Sequence, residues 1–428
     1  MLKNKKVYFV IGVLFLCFTS QMDAQNQLNS PYSRFGMGDL MPRASTAVTS
    51  MGGTGYTYQS PTAINFSNPA SYIAFDTLSF LMDASFSWKN HTLVGSTGSG
   101  SSTQRGNTIN FNYLSCGLSI QKWWKTAFGI QPYSIMNYTV KNTNLISIED
   151  SLTQNLSYFG QGGINEVFWG NAFQLFKNFS LGVNASFLFG TYSKNRSIEW
   201  SDNYSFNTQI ENSNRIRGAI ISAGVQYFIP VKEKGELGLG FVYTAPIPIQ
   251  SKGSSVIATY WGSGFNTSVI DSLYPKEEII HSHKMPAVIG GGLSWGKKDK
   301  YYIGVDFTWE NWSKYAVDNV NDSLSDSYKI SLGGYITPNH LSAKYFPRMT
   351  FSLGANIEQT RLLLDGEQLN RFGINFGFLF PLKRTKTGFG LTLEYGQLGT
   401  TKLIKENYFV ATFNVRIHER WYQRRKLD

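Results

Sequence analysis

The sequence predicts an all-β chain: a transmembrane antiparallel β-barrel of about 14 strands, with an N-terminal hatch or plug in its lumen. Three observations carry this expectation. Long segments alternate apolar and polar residues with period two. Short lysine-bearing turns alternate with long polar connections. A leader marks the chain for export. Of the 428 residues, 15% are aromatic, 41 are Gly and only 16% are charged, which favours strands and turns over helices. The one long apolar run, Val7 to Phe18, is shorter than the roughly 18 residues a membrane-crossing helix needs.

Residues 1–24 read as a secretory signal peptide. Lys3, Lys5 and Lys6 precede the apolar run, and Met22-Asp23-Ala24 ends in a small residue before Gln25. Leu16 stands before Cys17, where a lipoprotein would carry a small residue. Without the leader the net charge is about +9. One cysteine then remains, so no intrachain disulfide can form, and Cys116 is expected as a buried, unreactive thiol. A basic exported chain suits outer-membrane lipid phosphates and lipopolysaccharide. Nucleic acid is excluded as a partner, since no binding motif for it occurs.

Residues 25–76 form the N-terminal extension and hatch. Asn68-Pro69-Ala70 make a tight corner directly before the first alternating run: Asn favours local backbone hydrogen bonds, and Pro lacks a donor and pushes its predecessor to extended geometry. The barrel is assigned to 77–418. In Leu78 to Trp88 the apolar face is Leu78, Phe80, Met82, Ala84, Phe86 and Trp88, opposed by Ser79, Asp83, Ser85 and Ser87. Tyr301 to Glu310, Phe389 to Tyr395 and Phe409 to Ile417 repeat the pattern. Runs of about 9–13 residues have the length of membrane-spanning strands, whereas soluble strands usually run about 5–6. This disfavours the competing reading of a secreted all-β domain such as a propeller.

Short connections begin at Ile120, Leu175, Ile229, Trp295, Pro338 and Phe380. Long ones cover 91–107, 142–162, 193–214, 250–283 and 312–327. Six turns joining two strands each, with one strand added at either end, give about 14 strands and place both barrel termini in the periplasm of a Gram-negative outer membrane. Lumen-facing charges are expected at Asp83, Glu166, Asp306, Glu310, Glu394 and Arg416. A salt bridge between Glu394 and Arg416 is the favoured pairing, because interior charges must be paired or wet. Residues 419–428 form a basic periplasmic tail in which Arg420, Arg424, Arg425 and Lys426 either stay solvated near lipid headgroups or dock an acidic partner.

Several stretches resemble the FadL-like long-chain fatty acid transporters. These are "NPA" at Asn68 after "MGGTG" at Met51, "GLGFVYTAPIPI" from Gly238, "KMPAVIGGGLSWG" from Lys284, and "YYIGVDFTWENWSKY" from Tyr301. The resemblance covers most of the mature chain. It implies a plugged barrel in which Asn68, Pro69 and Ala70 lie in the hatch, and Trp309, Trp312 and Ser313 lie at an outer strand end as interface structure. The family includes carriers of small apolar molecules and members resembling the shuttle barrel of type IX secretion. The polar long connections, the charged lumen positions and the extra segment Asn29 to Ser45 depart from an apolar conduit.

No catalytic signature occurs, so an enzyme is not expected. His281 and His283 are too few for a zinc site without further ligands, and "DNVNDSLSD" at Asp318 lacks EF-hand spacing; no cofactor or metal is expected. The leading function is a scaffold or shuttle subunit of an outer-membrane secretion or assembly machine, partnered by other outer-membrane or periplasmic proteins. The alternative is an uptake channel for hydrophobic small molecules.

Overall fold

A computed structural model describes residues 30–420 apart from 98–99, 148–151, 203, 232–234, 262–267, 274–277, 319, 322–323, 384 and 401. Residues 1–24, expected as a signal peptide, therefore lie outside the described residues, as do Arg424, Arg425 and Lys426.

Fourteen antiparallel strands close into one barrel. They are β1 Ser79–Thr97, β2 Gly100–Ser119, β3 Trp124–Ser147, β4 Leu152–Phe176, β5 Phe179–Trp200, β6 Asn207–Val231 and β7 Gly235–Thr244. The ring continues with β8 Val288–Lys297, β9 Tyr301–Glu310, β10 Ser327–Ile336, β11 Thr350–Leu364, β12 Glu367–Pro381, β13 Gly388–Leu398 and β14 Ile404–Arg420. Closure is made by β1, which pairs with β2 on one side and β14 on the other, from Ser79↔Arg420 to Gly95↔Ile404. A closed sheet leaves no polar edge facing lipid, the requirement that hydrocarbon imposes on any sheet spanning it.

Alternation sorts the faces as the sequence predicts. On β1, Asp83, Ser85 and Ser87 are buried, while Phe86 and Trp88 are exposed on the lipid side. Cys116 differs from expectation. It is half-exposed and pairs with Met82 and Phe128 on the outward face of β2, because it shares the parity of the lipid-facing residues.

The connections at the two ends are unequal in a way that composition concealed. At one end the connections are short except that between β10 and β11, which holds the 3₁₀ turn Phe346–Arg348, and Trp123 stacks on Phe173 at 6.1 Å beside the turn into β3. At the other end, most of the polar stretches expected as long loops are strand. β3, β4 and β6 run 24, 25 and 25 residues, whereas β7 to β10 have 10 each. Ser- and Asn-rich residues are legible as loops only if the sheet ends at the membrane, and here it continues into water. Between β7 and β8 the chain makes an outer excursion whose strand Ile249–Trp261 pairs with the outer half of β6. Asp365-Gly366 close the β11–β12 hairpin with φ of 49° and 76°, the two-residue turn that tolerates left-handed backbone.

One seam is incomplete. β2 and β3 pair only from Leu114↔Ile130 to Ser119↔Lys125. Beyond it the register of β3 against β4 shifts between Pro132 and Ser134, where Pro cannot donate to a ladder. The outer half of β3 then carries Tyr133, Met136 and Tyr138 into a buried cluster with Ile164, Leu188, Ile216 and Trp312.

The N-terminal segment, residues 30–75, touches inward-facing residues of β1, β4, β9 and β14. These strands lie on several sides of a closed ring, so the segment occupies the lumen. It descends. Tyr32 packs with Leu362, Leu369, Leu398 and Tyr408 near the end bearing the strand extensions, and Phe75 reaches Lys125 at the turn end.

Candidate functional site

The Asn68 corner is a built helix start. Asn68 has extended backbone (φ −134°, ψ 110°), Pro69 opens a 3₁₀-helix to Ala74, and the Asn68 Oδ1 accepts from the Ala70 N–H at 3.0 Å. Its Nδ2 donates to the carbonyls of Tyr56 (2.7 Å) and Val225 (3.2 Å), the second on β6. Asn68 and Ala70 are fully buried. The wall admits them because it is bare there: a Cβ on Gly182 would overlap the Pro69 backbone, and one on Gly224 would overlap the Asn68 side chain. Ser71 and Asn65 brace the corner through backbone carbonyls at 2.7–2.9 Å. Tyr72 donates to the Asn184 Oδ1 on β5 at 3.0 Å.

Three carboxylates of the wall hold this segment or the groups that touch it. The Glu166 Oε1 receives Arg43 at 2.6 Å and its Oε2 receives Gln131 at 2.9 Å, with the Glu166 side chain fully buried. The Asp306 Oδ2 accepts the backbone N–H groups of Gly55 (2.6 Å) and Tyr56 (2.8 Å). Asp83 accepts from the Tyr113 hydroxyl at 3.1 Å and from Asn414, and lies 3.5 Å from the Arg416 Nε. Tyr113 in turn receives the Thr46 N–H at 3.0 Å.

The Glu394–Arg416 pair expected from the sequence does not form. Glu394 is in register with Val410, and Arg416 with Gly388, six positions further along. Glu394 instead accepts from Tyr408 at 3.2 Å, while Arg416 serves Asp83 across the β1–β14 closure. Trp312 is corrected as well. It is buried rather than interfacial, donates to Glu310 at 2.5 Å, and lies beneath the Arg361 guanidinium at 4.9 Å. Trp309 and Ser313 both donate to Asp326. The sequence reading missed Arg43, Asp39, Arg361 and Arg371. Arg361 donates to the Gly38 carbonyl at 2.5 Å, and Arg371 lies 3.4 Å from Asp39 and 3.7 Å from Glu358. Arg361 was hidden by the register shift between Gln359 and Leu363, which breaks period-two parity.

Beside the lumenal segment lies a cavity of about 280 Å³. Asp39, Arg43, Glu310, Glu358, Arg361, Arg371 and Glu394 line it among apolar residues such as Phe66, Ile220 and Met285, so it offers both signs of charge within a mixed wall. No group of three or more potential metal ligands occurs among the described residues.

The ring of 14 strands with a segment in its lumen is the architecture of FadL-type outer-membrane barrels. The chain is similar to the toluene transporter TodX of Pseudomonas putida (12% identity, TM-score 0.60, 90% of this chain and 100% of that one). It is also similar to a Pseudomonas aeruginosa FadL homologue (11%, 0.57, 90% and 100%) and to the Ralstonia pickettii toluene transporter TbuX (12%, 0.56, 90% and 100%). At such identity the likeness speaks for the fold alone. No curated protein matches the sequence. The BamG family model matches residues 1–428, and the chain belongs to the BamG family.

Proposed function

We propose that this chain is a non-catalytic scaffold or shuttle subunit of an outer-membrane protein secretion or assembly machine. One observation carries the reading. The lumenal segment is tied to opposite walls by buried carboxylates, through Arg43–Glu166 and Gly55/Tyr56–Asp306, and the cavity beside it is small and carries charges of both signs. An apolar cargo would have to break bonds that leave Glu166 buried without its counter-ion and Asp306 buried without the Gly55 and Tyr56 donors, a change that costs several kcal/mol. Membership of the BamG family favours an assembly-related role. In this reading the turn end faces the periplasm, Arg420 stands exposed there, and the sequence beyond it extends a basic docking tail.

The second reading, uptake of a hydrophobic small molecule, is favoured by the short β2–β3 pairing, beyond which the edge of β3 at Ser134–Ile135 is covered only by Asp39–Leu40 of the lumenal segment, and by the transporters that share the fold. Purification of the tagged full-length barrel in mild detergent separates the two. Stoichiometric protein partners are expected, lost when Arg420, Arg424, Arg425 and Lys426 are neutralised together. Recovery of the barrel alone with an apolar molecule in its lumen overturns the scaffold reading.

A further inference from the structure

The outer wall carries a groove of about 620 Å³ across β5 to β10, within the range of small-molecule sites. Its floor is Gly291 on β8. The residues directly opposite Gly291 are Phe241 on β7 and Phe307 on β9, both on the lipid side. Phe179, Tyr227 and Leu293 line the rest. Wall glycines at the lumenal segment are bare because its backbone or side chains press on them, but a Cβ on Gly291 would meet nothing within 4 Å. Its φ is not in the left-handed region either. No fold requirement therefore calls for glycine here, and an interior strand glycine weakens a sheet.

We propose that this groove binds one acyl chain of a phospholipid as a site of fixed position, with the headgroup phosphate at Lys177. The occupant follows from the place of the groove. It faces hydrocarbon, it is one strand wide between two phenyl rings, and its lining is almost wholly apolar. It opens at Phe179, the first residue of β5, at the turn end and two positions from the exposed Lys177. It runs from there to the middle of the wall at Phe307. With the turn end facing the periplasm, as in the orientation proposed above, that half of the membrane is the phospholipid leaflet. Packing rather than hydrophobic transfer drives such binding, since lipid already surrounds the wall.

The test is lipid retention by the full-length barrel after extensive detergent washing, read by native mass spectrometry. Wild type is expected to keep about one phospholipid per barrel, and Gly291→Phe, which fills the groove, to lower that occupancy about ten-fold. Gly291→Ala leaves the groove open and keeps the lipid, and Lys177→Glu weakens retention. Heat-modifiable migration on gels verifies that each variant is folded. Equal retention by wild type and folded Gly291→Phe overturns the proposal. So does retention of lipopolysaccharide in place of phospholipid, or a protein partner lost with Gly291→Phe while lipid stays. A molecule held in the lumen is insensitive to Gly291→Phe, so failure here and failure of the scaffold reading give different results.

Discussion

Asn68 concentrates three bonds in one short side chain: a helix cap, a tie to Tyr56 and a tie to β6. Asn68→Ala removes all three and leaves the buried Ala70 N–H without its cap, so it should lower stability by about 1–3 kcal/mol, measured by thermal unfolding in detergent. Arg43 behaves differently because its partner is a charge. Arg43→Met alone leaves Glu166 buried and unpaired, and a loss of about 3–5 kcal/mol is expected; Arg43→Met with Glu166→Leu should recover most of it. Equal losses in the single and double variants would show that the pair does not anchor the segment. The wall side of this network is partly legible in the sequence, since period-two parity points Asp83, Glu166 and Asp306 inward. The segment side is not, because residues 30–45 have no period and their partners are fixed only by the closed ring.

Strands were legible wherever lipid enforces alternation. They were illegible where the sheet leaves the membrane, because there both faces meet water and nothing selects apolar residues on one of them. The outer excursion shows how such extensions are held. On Ile279–Lys284, the His281 Nδ1 lies 2.6 Å from the Asp318 Oδ2, and the Ser282 N–H donates to the Oδ1 of the same carboxylate at 2.8 Å. The hydrogen bond with His281, and after it the Ser282 N–H, hold the Asp318 carboxyl below its ordinary range. A depressed carboxyl stabilises the folded form above its unfolded pKa, about 3.9, and that contribution disappears as pH falls through the lower folded value. Asp318→Ala should therefore speed amide exchange around Ala316–Val317 near neutral pH, and the difference from wild type should shrink at strongly acidic pH. An unchanged difference there would refute the linkage.

At the scale of the whole molecule, the chain runs once through the lumen before it enters the wall. Tyr32 is bonded to Ile404 at the far end from Arg420, its hydroxyl donating to the carbonyl at 2.5 Å and accepting from the N–H at 3.1 Å. Ser79 and Arg420, by contrast, pair at the turn end. An epitope placed between the leader and Ser30 should be labelled by antibody on intact cells, whereas one after Asp428 should be reached only after the outer membrane is permeabilised. Labelling of neither on intact cells would overturn this orientation. The two ends of the barrel wall therefore lie together at the turn end, while the lumenal segment begins at the other end.

The zipper between β1 and β14 runs over 17 residue pairs, and its two halves are the first and last wall strands in the sequence. The cylinder cannot shut until β14 has been made. Until then the lumenal segment is an open ribbon, and Asp83 lacks both Asn414 and Arg416, which arrive only with β14. Shutting the cylinder and trapping the segment are thus one event. Any factor that keeps β14 away from β1 also decides whether the segment is captured inside or left behind.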